Sequence, residues 1–176
     1  MTTFLRDSRN RKRGMTLMEL AIVLLVIGLI AGLLTPLIIS TAKRSKVRQG
    51  KQGLEAMVLT VTGQIMSDSQ HSLPDPSDAL FDVSDVWGRA YGYFPAPSLD
   101  GRDICAETDA SRADLALVTA TQTVNNVAFV LTSDGPDHEA RITSAPGQVD
   151  VSDHGDDLYA YLSLYQLYKI VCGKDS

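Results

Sequence analysis

Charge is missing between Leu20 and Ala42 of this 176-residue chain. At 1.5 Å per residue the run Leu20 to Ile39 is long enough to cross a hydrocarbon core of about 30 Å, so the segment must enter a membrane at some stage. Cysteine is scarce, with only Cys105 and Cys172 present. Neither belongs to a CxxC pair or stands beside a histidine pair, which argues against a structural zinc site. Catalytic signatures are missing as well: there is no HExxH, GxSxG, Walker A or Cys/His nucleophile arrangement, and His71, His138 and His154 are scattered through polar loops. No residue is assigned a catalytic role, and the chain is not expected to be an enzyme. Basic side chains thin out after Lys51, where residues 52 to 176 carry 19 acidic groups against six basic ones. Such an exterior excludes nucleic acid as a partner and suits cations or a solvated extracytoplasmic surface.

What is present begins at the other end. Residues 1 to 14 hold five basic side chains and one acidic one, so the formal net charge of −5 conceals a remainder near −9 from Met15 onward. Arg11-Lys12-Arg13-Gly14-Met15-Thr16-Leu17-Met18-Glu19 runs directly into the apolar segment. A secretory signal is cut behind its apolar stretch, whereas this chain offers Gly14 ahead of it. Cutting there leaves the apolar segment on the product. A second basic cluster, Lys43, Arg44, Lys46, Arg48 and Lys51, follows the segment, so positive charge flanks both ends.

Residues 13 to 36 resemble the N-terminal signature of type IV pilins and of the pseudopilins of type II secretion. In that family a basic leader ends in glycine, here Gly14, and a prepilin peptidase cuts after it. The first mature residue, here Met15, is N-methylated; the fifth is glutamate, here Glu19; and a helix-bending proline falls on Pro36. The family more often begins with Phe where this chain has Met. The resemblance implies an inner-membrane protein with a cytoplasmic N-terminus and a periplasmic head, handled by prepilin peptidase and an assembly platform and joined to other subunits in a filament. It also gives Glu19 a role in assembly, through the N-terminal amine of a neighbouring subunit. The alternative for Glu19 is a carboxylate resting solvated among lipid headgroups. Gly28 and Gly32 form a GxxxG spacing, and Pro36 removes a helix donor and clashes with the carbonyl of Gly32, which predicts a kink or loosening there.

Beyond the basic cluster, Val47, Leu54, Met57, Val58, Val61 and Ile65 recur at helical spacing, so the helix is expected to continue to about Ser67. Gly50, Gly53 and Gly63 weaken it by about 1 kcal/mol each relative to Ala. Leu73-Pro74-Asp75-Pro76 stops it, and turn-rich sequence follows to Asp114. Within that stretch Asp85-Val86-Trp87-Gly88-Arg89-Ala90-Tyr91-Gly92-Tyr93 is similar to a DxWGxxYxY stretch of secretion pseudopilins, with Val86 where proline is common. Trp87 and Tyr91 are read as core aromatics. Strands are expected at Leu115 to Ala120, Val124 to Thr132, Glu139 to Thr143 and Asp157 to Leu162. Ser163-Leu164-Tyr165-Gln166 fits a capping box opening a short helix that Gly173 can close. The fold class is therefore α+β: a long N-terminal helix packed on a small antiparallel sheet. The expected organisation is leader 1–14, membrane and filament-core helix 15–42, amphipathic helix 43–69 and globular head 70–176.

Two acidic loops, Ser133 to Glu139 and Asp150 to Asp157, offer the hard oxygen ligands that Ca²⁺ takes. Major pseudopilins carry calcium in a comparable loop, and Thr-Ser-Asp-Gly-Pro-Asp is similar to their motif; Asp134, Asp137 and Glu139 are the candidate ligands. A solvated acidic loop is the other reading. If the N-terminus lies inside, Cys105 and Cys172 reach an oxidising compartment and can pair; two buried free thiols are the alternative. Two functions stand side by side: a structural subunit of a type IV pilus or type II secretion filament, and a permanently anchored periplasmic binding domain that never polymerises. Within the first, the Trp87-Gly88 stretch leans toward secretion, while the two distant cysteines lean toward pilins.

Overall fold

A computed structural model describes residues 16–106 and 113–173, the side chains of 33–40 excepted. The chain divides into two compact units, 1–43 and 44–176, and helix α1 (Leu17–Ser67) runs through the boundary between them. Its backbone is helical at Pro36 as elsewhere.

In the first unit the described apolar side chains of α1 face outward on every side; Leu17 is 89 % exposed and Leu25 69 %. Among the described residues no helix is long and apolar enough to cross a membrane. The uncharged run of the sequence includes residues 33–40, whose side chains fall outside that description.

In the second unit the apolar stripe behaves as its spacing requires. Leu54, Met57, Val61 and Ile65 are buried and share one core with the sheet, while Leu59 and Met66 on the opposite face stay exposed. Each fully buried side chain of this size is worth about 1.5–3 kcal/mol. Two of the helix glycines serve this packing. A Cβ on Gly50 would stand 2.6 Å from the Trp87 ring, and one on Gly53 would stand 2.6 Å from the Tyr91 hydroxyl. The propensity lost at those positions is the cost of seating two aromatics against the helix backbone.

The loop carrying Trp87 is fastened by Asp85, which is 7 % exposed. Its Oδ1 accepts the amides of Trp87 and Arg89, both at 2.9 Å, and its Oδ2 accepts the Ser133 hydroxyl. The chain then enters a six-stranded sheet: β1 (Gly92–Pro95), β2 (Leu115–Val118), β3 (Thr123–Ser133), β4 (Thr143–Ala145), β5 (Gln148–Asp150) and β6 (Leu158–Ser163). β3 is the axis, with every residue from Val127 to Ser133 buried. β6 pairs along one of its edges; β1 and β2 pair in tandem along the other, and β5 and β4 extend the sheet beyond β2.

The sheet is mixed, which corrects the antiparallel expectation. β5 runs parallel to β2. After β3 the chain crosses to the free edge of β2, and the β4–β5 hairpin lays its second strand there, where Ala116 donates to the Gly147 carbonyl at 2.9 Å. A second correction concerns residues 139–142, which are not a strand. The amides of Arg141 and Ile142 donate to the Asp157 carboxylate at 2.7 and 3.3 Å, so they are unavailable to a ladder. β1 was not expected either; its four residues include Gly92 and Pro95 and owe their extension to pairing with β3. After β6, Ser163 caps α2 (Leu164–Cys172) through reciprocal bonds with Gln166, and Gly173 closes it with φ 63°. The architecture is α+β and pilin-like: an N-terminal helix followed by a curled mixed sheet.

Candidate functional site

Gly14 and Met15 lie outside the described residues, so the described chain begins one residue beyond the expected mature start. Thr16 opens α1: its hydroxyl accepts the amide of Glu19 at 3.2 Å and its carbonyl accepts that of Leu20 at 3.1 Å. Glu19 therefore sits in the first helical turn, exposed, where its carboxylate complements the positive end of the helix dipole. The Thr-x-x-Glu spacing that signals this start was available in the sequence. Pro36 lies within α1, and its side chain is among those not described.

Cys105 and Cys172 form a disulfide with a Cα–Cα distance of 5.5 Å. Cys105 lies in a turn whose amide is held by Asp103, and Cys172 is the last residue of α2. The bridge spans 67 residues of chain. Closing a loop of that length removes unfolded-state entropy worth about 4 kcal/mol in the chain-entropy treatment. It fastens the end of the chain to the region ahead of β2.

The acidic loops meet, though with a different membership from the one the sequence suggested. Asp137, from the loop after β3, converges with Asp156 and Asp157, from the loop before β6, with one ligand atom from each within 4.8 Å of the others. Asp134 instead pairs with Arg89 at 3.0 Å, and the Glu139 carboxylate lies 3.4 Å from Arg141. Two glycines at positive φ let the loops close. A Cβ on Gly135 (φ 66°) would stand 2.5 Å from the Asp156 carbonyl, and one on Gly155 (φ 57°) would collide with the Arg141 guanidinium.

Asp157 is 2 % exposed, and only half its carboxylate is satisfied. Oδ2 takes the two amides of Arg141 and Ile142, while Oδ1 has no hydrogen-bond partner, and neither does Asp156 Oδ1. Burial raises the Asp157 carboxyl above its ordinary range, and the charges of Asp134 and Asp137 push the same way against the two amides. Asp137 is held below its ordinary value, by the Glu139 amide first and then by its contact with Asp156 and the charge of Arg141. A buried carboxylate with one oxygen left unbonded, set beside two further carboxylates, offers the kind of hard-oxygen grouping that divalent cations take. Asp156 and Asp157 lie in a loop already marked as acidic, but nothing local ties them to Asp137.

Two of the three histidines have contacts elsewhere. His71 stands 3.9 Å from Asp103, and His154 Nδ1 bonds the Val151 carbonyl at 2.8 Å with its ring edge-on to Tyr159.

Residues 9–35 match the family model of the prokaryotic N-terminal methylation motif, the prepilin-type signature of type IV pilins and pseudopilins. The match covers the leader junction and the first part of α1, and it supports a precursor of pilin or pseudopilin type. Proteins of that motif family are structural subunits rather than enzymes, and the motif implies membrane anchoring and processing by prepilin peptidase. No curated protein and no solved structure matches the chain.

Proposed function

We propose that this chain is a filament subunit, inserted once in the inner membrane with its N-terminus inside, cleaved after Gly14, methylated on Met15 and polymerised through the apolar half of α1. The observation that carries the reading is the methylation-motif match at residues 9–35, ahead of a pilin-like α+β unit. Cleavage creates an amine at Met15 four residues from the Glu19 carboxylate. In a low-dielectric surround an unpaired carboxylate costs several kcal/mol, so Glu19 is driven to pair with the amine of a neighbouring subunit, which sets axial register. The leader, 1–14, is discarded; 15–42 forms the filament core; 43–69 carries the helix into the head, 70–176. No catalytic step is assigned.

The test is processing and assembly in a host that carries a prepilin peptidase. Gly14→Asp is expected to leave the leader in place, read by a mass difference on the membrane-bound chain. Glu19→Val is expected to be cleaved normally and to abolish filaments. Filaments formed at unchanged yield by the Glu19 variant favour the permanently anchored binding domain instead.

In the head, Asp137, Asp156 and Asp157 are the residues that would hold a calcium ion, because they include two buried carboxylate oxygens that make no hydrogen bond. The ion would supply positive charge and oxygen coordination that link the loop after β3 to the loop before β6. Asp134 stands beside this set paired with Arg89, and Glu139 shares Arg141 with Asp137 and Asp156.

A further inference from the structure

We propose that Arg141 is a built-in counter-cation of the acidic pocket, occupying it when no divalent ion is bound and leaving it when one enters. The proposal rests on the cation-site reading of Asp137, Asp156 and Asp157 and adds what sets the affinity of that site.

Arg141 holds the pocket from two directions. Its backbone amide donates to Asp157 Oδ2 at 2.7 Å, and its side chain turns back over Gly155, where any Cβ would meet the guanidinium. Nη2 lies 2.7 Å from Asp137 Oδ2 and 3.4 Å from Glu139, and Nη1 lies 3.9 Å from Asp156 Oδ1. One planar fork thus spans two of the three carboxylates. It does not reach the third: Asp157 Oδ1 keeps no hydrogen-bond partner, and Asp156 Oδ1 has an ion contact but no hydrogen bond. A planar donor with fixed directions is poorly matched to three converging oxygens. A spherical ion has no such restriction.

Each of the three carboxylates brings one ligand atom within 4.8 Å of the others, so a single hard cation entering the cluster would draw on all three. An ion among them and a guanidinium bridging Asp137 to Asp156 would compete for the same carboxylates and repel each other. The Arg141 side chain is 39 % exposed, so it has solvent to swing into while its amide stays on Asp157. The displaced guanidinium then becomes a free surface cation, and cation entry is coupled to a change in the charge presented by the loop after β3.

The experiment is calorimetric titration of Ca²⁺, with Mg²⁺ as comparison, into the full chain in detergent with its disulfide intact. Arg141→Gln, Arg141→Lys and Asp157→Asn are run beside wild type, each with thermal melts in chelator and in saturating Ca²⁺. Removing the competing charge in Arg141→Gln is expected to tighten Ca²⁺ binding roughly tenfold, the scale that one partly screened charge at this range supplies. The same variant should melt lower than wild type in chelator and recover with Ca²⁺. Arg141→Lys keeps a tethered charge and should bind within about twofold of wild type. Asp157→Asn turns the orphaned acceptor into a donor, so it should lose Ca²⁺ binding and melt no lower than wild type in chelator. Equal affinity in wild type and Arg141→Gln overturns the competition and leaves the cation site standing. Weaker binding in both arginine variants also overturns it, because the arginine would then be a support of the site. Absence of binding in wild type and Arg141→Gln alike overturns the site and the competition together.

Discussion

One helix meets two different fates along its length. From Leu20 to Gly32 the described side chains of α1 are apolar on all faces and exposed; from Arg44 to Ser67 they are apolar on one stripe, and that stripe is buried in the head. The hydrogen bonding of the backbone is the same in both. What differs is the arrangement of methyl groups around the axis. A stripe needs one partner surface, which the sheet provides; an all-round apolar cylinder needs a surround, either lipid or other helices. The lesson is that secondary structure alone says nothing about how a helix is covered, whereas the angular spread of its apolar residues says a good deal.

The comparison breaks most visibly at two leucines. Leu54 is 2 % exposed and Leu25 69 % exposed. Leu54→Ala is expected to lower head stability by about 2–5 kcal/mol in denaturant melts of the full chain in detergent. Leu25→Ala should change the same melt by less than about 0.5 kcal/mol, its effect falling on assembly instead. Equal losses would mean that the first half of α1 also contributes to the folded head.

A smaller effect separates two glycines within the buried half. Gly50→Ala drives a methyl into the Trp87 ring and should cost about 1–3 kcal/mol. At Gly63 nothing lies within 4 Å of an added Cβ, so Gly63→Ala should stabilise by up to about 1 kcal/mol through helix propensity. Thermal melts of the pair give the sign directly. A gain at Gly50 would show that Trp87 is not held against the helix.

The smallest effect lies where α1 ends. Asp68 is held below its ordinary 3.8, by the Ser72 hydroxyl first and then by the amides of Gln70 and Ser72. A folded-state pKa below the unfolded one stabilises at pH above the unfolded value, and the contribution is lost as pH falls through the lowered folded value. Asp68→Asn should therefore be the weaker protein from neutrality down to about pH 5, with the gap closing below about pH 4. Urea melts across that range check it. A gap that persists at low pH would assign the loss to altered hydrogen bonding rather than to charge.

How much was legible in the sequence follows the range of the interactions. The capping box of α2 was readable because Ser163 and Gln166 are three residues apart and satisfy each other. The stripe on α1 and the long strand β3 were readable because their periods repeat over enough residues to stand out. β1 and β5, four and three residues long, carry no such repeat and exist because neighbouring strands leave edges to pair with. The segment 139–142 has strand-like composition but gives its amides to Asp157. Gly50 and Gly53 read as weak points of α1 in the sequence, and only the packing of Trp87 and Tyr91 against them gives the missing Cβ atoms a use.

By itself, then, the sequence determined the processing signature around Gly14 and Glu19, the extent of α1, the cap of α2 and the acidic character of the head. Each of those rests on neighbours along the chain, on a period, or on a sum of charge. Only the tertiary structure decided that Cys105 bonds Cys172, that β5 lies parallel to β2, and that Asp137 converges with Asp156 and Asp157 while the Arg141 side chain bridges Asp137 and Asp156. Those outcomes join residues far apart in the chain, and their meeting depends on where the fold carries each of them.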